Sequence, residues 1–196
     1  MGKKAKIIII AVVAVIAIAV AYFWYNSQYD DNLVKAYGYE KIGLESINND
    51  FKELWGVNRF TGIDIIKKNV SNIQKDIDEY NKTIQKVDFY LNKAKKYGKT
   101  DAEREYIDLL LKKNEANKKS IKNCQAYLNV LTEYVNWEIG VVELDNKTLE
   151  FQNKCINIDS ENIDNGNEII ALLNNNPDFK QHLKSLNLNE TYFWIF

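Results

Sequence analysis

Apolar residues between Thr61 and Gly98 recur every three or four positions: Ile63, Ile66, Val70, Ile73, Ile77, Tyr80, Ile84, Val87, Leu91 and Ala94. This rhythm belongs to a helix that buries one seam, and the positions between are mostly Lys, Asp, Asn and Gln. Thr61 and Asp64 make a capping-box-like start, and Gly98 stands where a left-handed C-cap is expected. A second start follows at once at Thr100 and Glu103. The same spacing then carries Ile107, Leu110, Ile121, Cys124, Leu128, Leu131 and Val135. So short a connection predicts an antiparallel hairpin, about 55 Å long from the helical rise. Asn114 and Asn117 fill seam positions of its second arm. Folding about Lys99 sets Asn117 beside Tyr80, where either an amide–phenol bond fixes the register or the seam is locally wet with no such role.

Two further stripes flank the hairpin. Leu33, Tyr37, Leu44, Ile47, Phe51 and Leu54 lead up to Trp55-Gly56, with Glu40 as the exception. Leu149, Ile156, Ile163, Ile170 and Leu173 form a weaker fourth stripe. Asn165-Gly166 is expected to bend or break that helix, because Gly costs about 1 kcal/mol against Ala in a helix interior. Single amphipathic helices are marginal in water, so the four stripes are expected to face one another.

The first stripe is preceded by a run of a different kind. Ile7 to Tyr25 holds no charge, Gly or Pro and is long enough to approach the roughly 30 Å hydrocarbon thickness of a bilayer. Its Ile and Val residues alone favour insertion by roughly 3 to 6 kcal/mol. Lys3, Lys4 and Lys6 precede the run, and Asp30 and Asp31 are the first charges after it, so the N-terminus is expected in the cytoplasm. Tyr22, Phe23, Trp24 and Tyr25 fit an interfacial aromatic belt. Ala19-Val20-Ala21 has the small-x-small form of a signal-peptidase site, but the apolar character continues through Trp24, which favours an uncleaved anchor.

The fold class predicted is all-α: an N-terminal transmembrane helix followed by an antiparallel up-down helical bundle with a long coiled-coil-like hairpin. The corresponding divisions are a cytoplasmic tail over 1–6, a signal anchor over 7–25, an extracytoplasmic bundle over 26–176, and a short helix with an aromatic tail over 177–196. Counting helix directions returns the tail toward the bilayer, where Tyr192, Phe193, Trp194, Ile195 and Phe196 either join the interface or plug the bundle end. Lys93, Lys95, Lys96 and Lys99 fall at the same end.

Charge and composition narrow the function. All 27 acidic residues follow the apolar run and three of the 26 basic ones precede it, leaving the remainder at −4. No concentrated cationic face is visible, so a nucleic-acid partner is not expected. His182 is the sole histidine, and a His-based zinc site lacks partners at usable spacing. Aligning Gly166 with the glycine of a calcium loop puts Ile163 and Leu172 at ligand positions, which a hard cation cannot use. Glu133, Glu138 and Glu143 read as a solvating helix face. The sequence thus predicts no catalytic, cofactor-binding or metal-ligating residues.

Cys124 and Cys155 allow a disulfide outside the cytoplasm. A helix ending at Gly140 would set the two opposite each other, whereas a turn at Asp145–Lys147 would offset them by about 13 residues, or roughly 20 Å; the rhythm through Val135, Ile139 and Val142 favours the later turn and free thiols. Asn69, Asn81, Asn146 and Asn189 head glycosylation triplets.

The expected role is a membrane-anchored extracytoplasmic helical scaffold or protein-interaction module without catalytic activity. Its expected partners are the lipid bilayer and an envelope protein or a second copy of the chain. With six residues before the span, no cytoplasmic output domain is expected. The alternative is a small-ligand-binding or sensory bundle, or an enzyme, with a pocket between helices around Trp137, Tyr134 and Trp55.

Overall fold

The computed structural model describes residues 3–47, Val57 and residues 61–188. Those residues form five helices and no strand: α1 (Lys3–Ile47), α2 (Ile63–Tyr97), α3 (Asp101–Val135), α4 (Val141–Asn175) and α5 (Pro177–Ser185). Neighbours in the chain run antiparallel. Tyr25 near the middle of α1 meets Tyr97 at the end of α2, Gln74 of α2 pairs with Gln125 of α3, and Lys119 of α3 pairs with Glu161 of α4.

Helix α1 is one uninterrupted rod with two environments. Val12 to Tyr25 is exposed throughout, whereas Tyr29, Leu33, Ala36, Tyr37 and Leu44 are buried in the bundle. The segment is long and apolar enough to cross a membrane by length and composition. The later members of the first stripe lie outside what is described here: residues 48–56 as a whole, and the side chain of Ile47.

The core divides into two clusters along the rod. At the end shared with Tyr25, α1 packs with α2, α3, α4 and α5 through Leu33, Tyr37, Leu91, Ile107, Leu173 and Leu183. Toward the α3–α4 turn, α2, α3 and α4 continue as a core that includes Ile73, Ile77, Leu128, Leu131, Leu144 and Phe151, joined by Leu44 near the end of α1 and by Val57. The α2 seam lies as expected, with every member from Ile66 to Ala94 buried except Val70, which is partly so. Each fully buried Ile or Leu here contributes about 1.5–3 kcal/mol.

Several local expectations are corrected. The cap of α2 is Gly62, with no side-chain bond, so Thr61 and Asp64 form no capping box. Gly98 is extended (φ −61°, ψ 124°) rather than left-handed, because the chain must leave α2 straight into the cap of α3. That cap is as expected: Thr100 Oγ1 accepts from the Glu103 amide at 3.1 Å, and Glu103 accepts from the Thr100 amide at 2.8 Å.

The α3–α4 turn falls at Asn136–Gly140, earlier than the rhythm implied. Trp137 takes positive φ (63°) and lets the chain reverse, and Gly140 caps α4. Helix α4 runs unbroken through Asn165-Gly166. Both residues are buried, and tertiary packing outweighs the intrinsic cost of the glycine.

The fourth stripe is also corrected. Leu149, Ile156 and Ile163 point outward, and the buried line is Leu144, Phe151, Ile158, Asn165 and Leu172. Phe151 decides the rotation: its ring stacks on Tyr127 at 4.3 Å between centroids, an aromatic burial worth more than any single aliphatic on the other line.

Candidate functional site

The most distinctive chemistry is a buried polar layer where α1, α2 and α3 meet. Glu40, the exception in the first stripe, is answered by Lys113 of α3, whose Nζ lies 2.9 Å from its carboxylate. Tyr37 and Tyr106 share a hydrogen bond of 2.5 Å between hydroxyls, and Tyr29 donates to the Glu103 carbonyl at 3.3 Å. Asn114 donates to the Ile84 carbonyl at 3.3 Å and to Asp88 at 2.5 Å, and Lys118 also pairs with Asp88. These bonds tie the rod of α1 to α3, and α3 in turn to α2.

The register bond expected of Asn117 is made by Asn114 instead. Asn117 is buried, and its Oδ1 has no hydrogen-bond partner among the described residues. Tyr80 is held protonated by burial first and by the charge of Glu40 second, both of which raise its pKa. A narrow cavity among Tyr37, Glu40, Lys113 and Asn114 has about 10 Å³ of room, roughly one water molecule. The layer joins helices and is too tight for an organic ligand.

A second feature is an open groove between α3 and α4, about 360 Å³ in volume, floored by Ala126 and Ile158 and edged by Lys119, Lys122 and Lys154. Lys119 and Lys154 are engaged by Glu161 and Glu150. At the α3–α4 turn, Trp137 is 77 % exposed and nearby Tyr134 is buried, and neither lines this groove or the narrow cavity. Trp55 lies outside the described residues, as does the aromatic tail from Tyr192.

Among the described residues, no group of three or more His, Cys, Asp or Glu is placed to hold a metal ion. The segment around Asp159 is continuous helix, and burial raises the Asp159 pKa. His182 does not stand alone: its Nε2 lies 2.8 Å from Asp30 and fastens α5 to α1. Of the lysines at this end, Lys95 pairs with Asp108 and Lys93 lies over the Phe89 ring.

Cys124 and Cys155 are free thiols. With the turn at Gly140 they come level across α3 and α4, and Asn123 donates to Cys155 Sγ at 3.3 Å. The offset expected from a later turn is thus overturned. Burial pushes the Cys155 thiol up to about 11 and the Cys124 thiol higher, with the neighbouring Cys155 as the second cause. Thiols of this kind are protonated at neutral pH and are weak nucleophiles. Of the glycosylation triplets, Asn81 and Asn146 are exposed, Asn69 is half-buried, and Asn189 lies outside the described residues.

Sequence reasoning missed two pairings. Glu40 and Lys113 were findable, since a charge that interrupts an apolar stripe implies a partner of opposite sign in the facing helix. The close approach at Gly43 was not, because helix contact distance leaves no trace in spacing. A Cβ there would lie 2.5 Å from Thr83 Oγ1 and 2.7 Å from Tyr80.

These features define an all-helical bundle led by one apolar helix of membrane-spanning length. Compared with protein-family models, curated proteins and solved structures, the chain matches none.

Proposed function

We propose that the chain is a single-pass, membrane-anchored interaction module without catalytic activity, its N-terminus cytoplasmic and its bundle outside the cell membrane. The observation that carries this reading is the continuity of α1: the same helix that exposes an apolar run over Val12–Tyr25 buries Tyr29, Leu33 and Tyr37 in the bundle. Three early lysines and the acids at Asp30 and Asp31 support the orientation. The internal polar groups join helices, and the buried thiols are kept neutral, which supports a structural role for this chemistry.

An anchor of this kind keeps the full chain in the membrane pellet after alkaline carbonate washing, and protease added outside cells stripped of any wall digests the bundle. Release of the intact chain by carbonate overturns the anchor. Protection of the bundle from external protease overturns the orientation.

A further inference from the structure

Two apolar lines run along α4 on opposite sides. Leu144, Phe151 and Ile158 are buried. Two positions earlier in each heptad, Val142, Leu149, Ile156 and Ile163 remain 76, 59, 58 and 50 % exposed. Two residues correspond to about 200° around a helix, so the second line faces directly away from the core. Four residues after each of its members stand Asn146, Asn153, Ser160 and Asn167, all exposed. The resulting order, Val142, Asn146, Leu149, Asn153, Ile156, Ser160, Ile163, Asn167 and Ile170, steps by four and three without a break. This is a second heptad seam on the outside of the bundle, about 42 Å long. Elsewhere in the bundle, exposed apolar residues such as Val34, Ile42, Ile65 and Phe89 keep no such spacing.

The positions that flank this seam are Glu143, Glu150, Asn157 and Asp164 on one side and Asp145, Gln152, Asp159 and Gly166 on the other, five acids with no Lys or Arg among them. The nearest lysines, Lys147 and Lys154, stand one row further out and reach back to Glu150. Flanking charges select the partner in helix pairing. A parallel second copy in register would set Asp145 against Glu150 and Asp159 against Asp164, acid against acid.

We propose that the outer face of α4 is the docking surface for an amphipathic helix of another protein, with an aliphatic seam and Lys or Arg flanks. The inference rests on the interaction role proposed above and gives it a surface and a partner chemistry. Its failure leaves the anchor standing, because carbonate extraction tests that separately.

The test uses the full chain in neutral detergent and two synthetic four-heptad helices with the same Ile/Leu seam, one flanked by Lys and the other by Glu. The Lys-flanked helix is expected to bind about tenfold or more tighter, with affinity falling as salt rises. Ile156→Asn with Ile163→Asn is expected to abolish that binding while the circular dichroism is unchanged, because both side chains point away from the core. Val34→Asn serves as the control and leaves binding intact. Equal binding of both helices, binding of neither, or indifference to the Ile156 and Ile163 changes overturns the proposal. A dimer of the chain that those two changes dissociate overturns it in favour of a second copy.

Discussion

Lys113 of α3 and Glu40 of α1 face each other across the bundle with their side chains only 11 % and 12 % exposed. Taking one partner away strands the other charge in a site that water reaches poorly, which costs about 3–5 kcal/mol. Lys113→Met is therefore expected to lower unfolding stability by about 3 kcal/mol, read by denaturant titration in detergent. Adding Glu40→Leu is expected to recover most of the loss, because the pair offsets its own desolvation only in part. A double variant as unstable as the single one would show that the pair does more than neutralise itself.

Gly43 and Gly38 make a matched test of the α1–α2 contact. At Gly43 a new methyl would meet Thr83 and Tyr80 inside contact distance, whereas nothing lies within 4 Å of one at Gly38. Gly43→Ala is expected to destabilise by about 1–3 kcal/mol through overpacking. Gly38→Ala is expected to stabilise by up to about 1 kcal/mol through helix propensity. Thermal unfolding of the two variants, side by side, checks the sign of each.

Thr100 and Glu103 hold the sharp link between the hairpin arms through the reciprocal bonds of a capping box. Thr100→Ala removes the acceptor for the Glu103 amide and is expected to cost about 1 kcal/mol, while Thr100→Asp retains it. Hydrogen exchange at the first turn of α3 should quicken in the first variant only.

How far the fold was legible follows from where its information sits. The α2–α3 hairpin was legible because the seam of α2 repeats without interruption, that of α3 is broken only by Asn114 and Asn117, and Thr100 and Glu103 announce the break. Helix α4 was misread because it carries two apolar lines, and spacing alone does not say which one Phe151 turns inward. The turn at Gly140 was one of two the sequence offered and was outweighed for a related reason: Val135, Ile139 and Val142 keep the heptad rhythm across it, yet Trp137 adopts a positive φ that few side chains favour. Of the polar layer, Glu40 and Asn114 were visible as exceptions in apolar stripes. Their partners depend on three-dimensional register, which set Lys113 against Glu40 and Asp88 against Asn114.

The thiols give the pH-dependent expectation. Cys155 titrates near 11, against 9 for an ordinary thiol, so at pH 8 it presents about a hundredfold fewer thiolates and reacts correspondingly slowly with alkylating agents. Its rate should climb about tenfold per pH step toward 11. Cys124, fully buried and pushed higher, should label after Cys155. Because the folded chain raises the pKa, each thiol's contribution to stability is complete below pH 9 and is lost as pH rises through the folded value. Mass spectrometry of timed alkylation on the native chain checks the order. Simultaneous rapid labelling of both at pH 8 would mean that the α3–α4 core opens on the timescale of the reaction.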